Sequence, residues 1–96
     1  MITGAQIRMA RVAIGWTIGE LAQATGVSVS AIQRAEQTEG VPRMRAPTLF
    51  QVQRALERGN AGQGGIVFID SDDQYGPGVR LRRRLNDQPS NPRTGE

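Results

Sequence analysis

A mainly α-helical domain followed by a C-terminal β-hairpin is the fold class that this 96-residue sequence predicts. Three observations predict it. Within residues 1–60, four apolar runs recur at helical spacing, and each opens on a residue suited to a helix start. At "NAGQGG", residues 60–65, the composition shifts to a flexible connector. Beyond it come "IVFI", β-branched and aromatic, and "VRLRRRL", which alternates apolar and basic residues.

The first helix begins at Thr3, which has capping-box spacing to Gln6. Ile7, Ala10 and Ile14 follow at helical spacing, with Arg8 and Arg11 interleaved, and Gly15 stops the run. Thr17 and Glu20 repeat the capping-box pattern for a second helix, with Leu21 and Ala22 inward and Gly26 as its end. Ser28 caps a third helix whose inward residues are Ile32 and Ala35. Residues 37–46 form a loop with Gly40 and Pro42. Pro47 suits the first turn of a fourth helix carrying Leu49, Val52, Ala55 and Leu56, with Phe50 beside them and Gly59 and Asn60 at its end. In the second half, Ile66–Ile69 is a strand and "DSDDQYGPG" a turn. Val79, Leu81 and Leu85 alternate against Arg80, Arg82 and Arg84 as a second strand with one wet face. The domain boundaries follow: 1–60 helical, 61–85 linker and hairpin with a possible dimerisation role, and 86–96 a disordered tail.

Composition narrows the chemistry. The chain has no cysteine, so no disulfide framework or thiolate metal site is available, and no histidine, the commonest general base and metal ligand. No Gly-rich phosphate loop precedes a lysine, and no paired carboxylates sit in an apolar setting, so an enzyme is not expected. No apolar run approaches a membrane span, the opening residues do not read as a signal peptide, and the cytoplasm is the expected location. The net charge is +3 and every basic residue is arginine, which forks onto phosphates and guanine edges. Genome composition explains an arginine-only chain equally well. The excess lies in residues 1–60, with seven arginines and four acids.

Residues 17–37, "TIGELAQATGVSVSAIQRAEQ", have the layout of a helix-turn-helix: a short helix, a glycine turn and a second helix presented outward. A small residue is required where the two helices cross, and Ala22 supplies it. A branched apolar residue must lock the second helix down, and Ile32 does so. The residues opening the second helix must be exposed and not bulky.

Over roughly residues 3–58 the chain resembles the Cro/CI-type (XRE) helix-turn-helix family, through "IRMARVAIGWT", "LAQATGVSVSAIQRAEQ" and "PTLFQVQRALE". The resemblance implies a lambda-repressor-like bundle of four or five helices that binds double-stranded DNA without a cofactor. It implies that Thr17 caps the first motif helix and offers a backbone amide to a phosphate. It places Ser28, Val29, Ser30, Gln33 and Arg34 on the exposed side of the recognition helix. Glutamine pairs with adenine and arginine with guanine, which makes Gln33 and Arg34 the base readers; Val29 would meet a thymine methyl. Arg43 and Arg45 would contact phosphates, and Arg11 and Glu36 would form an ion pair between the first and third helices. One position departs from the family: Ile18 stands where many members carry a phosphate-binding glutamine. Either that contact is missing or Ile18 faces apolar surface.

Several features have plainer uses. Trp16 reads as core, and Asp70, Asp72 and Asp73 read as a turn and not a cation loop. The cluster Arg80, Arg82, Arg83 and Arg84 is a solvated face, a phosphate track or a surface for an acidic partner. "IVFI" lacks a polar face, so it packs on the helices or pairs with a second copy across a dimer. The reading is a transcription regulator, a repressor with its own promoter as a candidate target, that binds an inverted-repeat operator as a homodimer. A protein-interaction adaptor, with a regulatory protein as partner, is the alternative from another class, and a DNA-binding antitoxin is a neighbouring variant.

Overall fold

The computed structural model describes residues 1–60 and 64–82. Four helices come first: α1 (Gly4–Ala13), α2 (Ile18–Thr25), α3 (Val29–Glu36) and α4 (Ala46–Arg58). Two antiparallel strands follow, β1 (Ile66–Ile69) and β2 (Gly78–Leu81), with Phe68 opposite Val79 and Ile66 opposite Leu81. No helix among the described residues is long and apolar enough to cross a membrane.

Local chemistry sets each boundary. Thr3 and Thr17 both form complete capping boxes, with Gln6 and Glu20 respectively, so the first free amides of α1 and α2 are satisfied within their own turns. The Ser28 hydroxyl accepts from the Ala31 amide at 3.2 Å and starts α3. Pro47 lies in the first turn of α4. Gly26 ends α2 in the left-handed region at φ 75°, a conformation that a β-carbon disfavours.

One core joins all six elements. Ile7, Leu21, Ile32, Leu49, Val52, Leu56 and Ile66 are fully or almost fully buried together, with Ile2, Ala10, Ala22 and Ala35. The hairpin therefore lies on the helical layer, with β2 against α1 and β1 against α4. Of the two expectations for "IVFI", packing on the helices is the one observed: Ile66 is buried and Phe68 is half-buried against the core. Val67 and Ile69 face outward and are partly exposed. Leu81 departs from the alternation that places it inward. It is 63% exposed, because its cross-strand partner Ile66, at 0%, fills the core position there. β2 is also shorter than the alternating run. It ends at Leu81, although the Arg82 amide still donates to the Gly65 carbonyl at 2.8 Å. Arg83, Arg84, Leu85 and the expected tail 86–96 lie outside the described residues, as do residues 61–63 of the connector.

The hairpin is fastened by a residue that the sequence marked only as a cap. Gln6 is 2% exposed. Its Oε1 accepts from the Thr3 amide at 2.9 Å, while its Nε2 donates to the carbonyls of Ile69 and Gly78, each at 3.0 Å. Those carbonyls lie side by side at the turn end of the hairpin. A buried amide is tolerable only when such bonds satisfy it.

Candidate nucleic-acid interface

The α2–turn–α3 unit has the geometry that its sequence requires. Ala22 and Ile32 are buried in the shared core, and α2 packs on α3. The turn from Gly26 to Ser28 is held by the Val27 amide donating to the Thr25 hydroxyl at 3.2 Å. With Ile32 and Ala35 facing the core, the helical period directs Ser30, Gln33 and Arg34 away from it, and Ser28, Val29, Ser30, Gln33 and Arg34 are all exposed. The exposed side chains that open α3, Ser28, Val29 and Ser30, are short.

Arg43 and Arg45, also exposed, sit in the loop between α3 and α4. With Arg34 they line one open groove of about 640 Å³, floored by Ala35, Pro42 and Met44. Within it three guanidinium groups face solvent, and among the described residues none has a carboxylate within ion-pair distance. The groove therefore concentrates positive potential beside the exposed side of α3.

Thr17 is at the start of α2, but its backbone amide is not free. It donates to the Glu20 carboxylate at 2.8 Å, while the Thr17 hydroxyl accepts from the Glu20 amide at 3.0 Å. The capping box thus engages the Thr17 amide within the chain and places the Glu20 carboxylate beside the helix start. Ile18 is half-buried against the core, which answers the question that its departure from the family raised. It packs on apolar core on one side and borders a second groove on the other, with Arg8, Arg11, Gln33, Glu36 and Gln37. Arg8 is exposed and is the cation that the sequence reading left out of the site. Its position one turn before the paired Arg11, on the same side of α1, was the available signal.

Two contacts hold α3 in place. Arg11 forks onto Glu36, with Nε 2.6 Å and Nη2 3.0 Å from its two carboxylate oxygens, and donates to the Trp16 carbonyl at 2.8 Å. The pair is largely buried, at 13% and 6% exposed side chain. The bond to Glu36 raises the Arg11 pKa above its ordinary value, against desolvation, so the guanidinium stays charged. This is the ion pair that the resemblance implied. At the other end of α1, Gly4 lies flat on α3: a β-carbon there would stand 2.0 Å from the Ala35 carbonyl oxygen and 2.2 Å from that of Thr38. The Gly4 amide donates to the Gly40 carbonyl at 2.9 Å.

Other residues of the sequence reading take structural places. Trp16 is half-buried against the core and donates from its indole to Asn60. Asp72 accepts from the amides of Gln74 and Tyr75, at 2.8 and 2.7 Å, which builds a turn and lowers its pKa. Arg80 and Arg82 are exposed on the hairpin, which packs on α1 and α4.

Compared with known families, residues 3–60 match the family described as a helix-turn-helix domain. No curated protein and no solved structure matches the chain. The matched span covers more than half of the sequence and contains the α2–turn–α3 unit together with the helices that brace it. The chain belongs to the helix-turn-helix domain family.

Proposed function

We propose that this protein is a sequence-specific, DNA-binding transcription regulator of the Cro/CI type, built on a lambda-repressor-like bundle. It acts in the cytoplasm as a homodimer on an inverted-repeat operator, without cofactor or catalytic activity. It represses a promoter, its own being the first candidate. The observation that carries this reading is the exposed side of α3 beside the groove where Arg34, Arg43 and Arg45 converge. Gln33 and Arg34 are assigned to base edges, Val29 to a thymine methyl, and Ser28, Ser30, Arg43 and Arg45 to phosphates. Thr17 is assigned to the cap of α2, with a backbone amide at that helix start offered to a phosphate. Arg8 joins the phosphate contacts beside Ile18.

The test is a mobility shift with DNA upstream of the coding region at two salt concentrations. Binding should weaken steeply with salt, the logarithmic slope being about 0.9 per neutralised phosphate. Arg43→Ala should lower that slope by about one contact on every sequence, whereas Arg34→Ala should cost about 1–3 kcal/mol on the operator alone. Weak, sequence-independent binding that neither change alters would sink the reading and favour an adaptor that binds a regulatory protein.

A further inference from the structure

The chain has four aromatic residues. Trp16 and Phe68 pack against the core, whereas Phe50 and Tyr75 are 54% and 71% exposed. Phe50 lies on the side of α4 opposite the core, and the Arg54 guanidinium stacks over its ring at 5.5 Å. Ala24, Thr25, Gln51, Arg54 and Arg58 complete a shallow groove around it. Arg54 and Arg58 are four residues apart on one helix face, where like charges repel, and among the described residues neither has a carboxylate partner. An exposed aromatic ring at the head of a row of two arginines without carboxylate partners has the composition of an interface anchor.

The other exposed aromatic residue has the opposite surroundings. Tyr75 sits in the β1–β2 turn with Asp70 and Asp73, both exposed. Asp72 uses its carboxylate to hold the turn; Asp70 and Asp73 have no such duty. Within one chain the two patches do not meet. Gln6, at the start of α1, clamps the turn end of the hairpin, whereas Gly65, at the other end, lies against the Glu57–Arg58 backbone. The strand between them spans about 13 Å at the usual rise.

We infer that the Phe50–Arg54–Arg58 groove is the docking site for the Asp70–Tyr75 turn of a second copy of this chain. Each copy offers both patches, and the inferred arrangement makes the contact twice, as a two-fold dimer and not as a head-to-tail chain. This inference rests on the two-copy part of the reading above and not on DNA binding. Charge complementarity selects the occupant, and the aromatic residues supply apolar area at each contact.

Light scattering and sedimentation of the full chain at low salt test it, using two charge-reversed forms. Arg54→Glu/Arg58→Glu and Asp70→Arg/Asp73→Arg should each raise the dimer dissociation constant at least about tenfold. An equimolar mixture of the two should dimerise again, since every contact in the mixed pair joins opposite charges. A chain carrying all four changes should dimerise as well. Asp72 is left intact, and circular dichroism checks the folding of each form. A monomeric parent chain at low salt, or charge-reversed forms that stay dimeric alone, would overturn the inference. So would folded forms that fail to associate when mixed. Binding to a single operator half-site, read separately, reports on the DNA reading: it should survive in the monomeric forms.

Discussion

Replacing Gln6 with methionine keeps the volume and the helix propensity of the side chain and removes its amide. The parent amide makes three hydrogen bonds to backbone, one from the Thr3 amide and two to the carbonyls of Ile69 and Gly78. At about 1 kcal/mol net for each, Gln6→Met should lower the unfolding free energy by about 3 kcal/mol. A chain of this size has a total of roughly 5–15 kcal/mol, so the loss is a large fraction. It corresponds to a rise of roughly 150-fold in the unfolded population and a fall of about 15 °C in Tm. Urea titration followed by circular dichroism measures it. Hydrogen exchange at the amides of Ile69 and Gly78 should quicken more than exchange in α4, because the lost clamp acts on the hairpin first. A Gln6→Met chain within 1 kcal/mol of the parent would refute the claim that this amide fastens the hairpin.

Other substitutions probe other joints. Gly4→Ala should cost about 3 kcal/mol or more and weaken DNA binding, because its β-carbon would overlap the carbonyl oxygens of Ala35 and Thr38. Gly26→Ala meets no atom within 4 Å and bears only the left-handed conformation, so about 1–2 kcal/mol is expected in the same urea assay. Glu36→Gln should destabilise by about 3 kcal/mol, since it leaves the largely buried Arg11 without its counter-charge. At the hairpin turn, the folded-state pKa of Asp72 is lowered by the amides of Gln74 and Tyr75. Its stabilising effect is therefore present above the unfolded pKa and lost as pH falls through the folded one. Amide chemical shifts of Gln74 and Tyr75 should follow that titration, and Asp72→Asn, whose side-chain oxygen still accepts, should abolish it.

The helices were legible because their signals are local. Thr3, Thr17 and Ser28 cap within three residues of themselves, and Gly26 ends α2 by its own backbone freedom. The inward residues Ile32, Leu49 and Val52 declare themselves by period, and the exposure of Ser30, Gln33 and Arg34 follows from it. What the sequence hid depends on distant partners. Nothing near Gln6 announces that its other nitrogen meets residues 63 and 72 positions away. The sequence alternation points Leu81 inward, yet Leu81 is exposed, because Ile66 takes the shared core position. The capping box that identifies the start of α2 also engages the Thr17 amide. The convergence of Arg34, Arg43 and Arg45 needed the path of the α3–α4 loop, which sequence spacing does not fix.

The reach of the Gln6 amide to Gly78 bears on how the chain is made. During synthesis the helices leave the ribosome first, yet Ile66 and the carbonyls that receive Gln6 belong to the last part of the described fold. Until residue 78 has emerged, the core lacks a wall and the buried amide of Gln6 lacks its acceptors. Folding is therefore expected to finish late, in one step that draws the two ends of the fold together. A chain broken off after α4 would keep the reading helix in its sequence but lose the packing that steadies it. Quality control would then meet an unstable fragment instead of a half-length competitor for the same DNA.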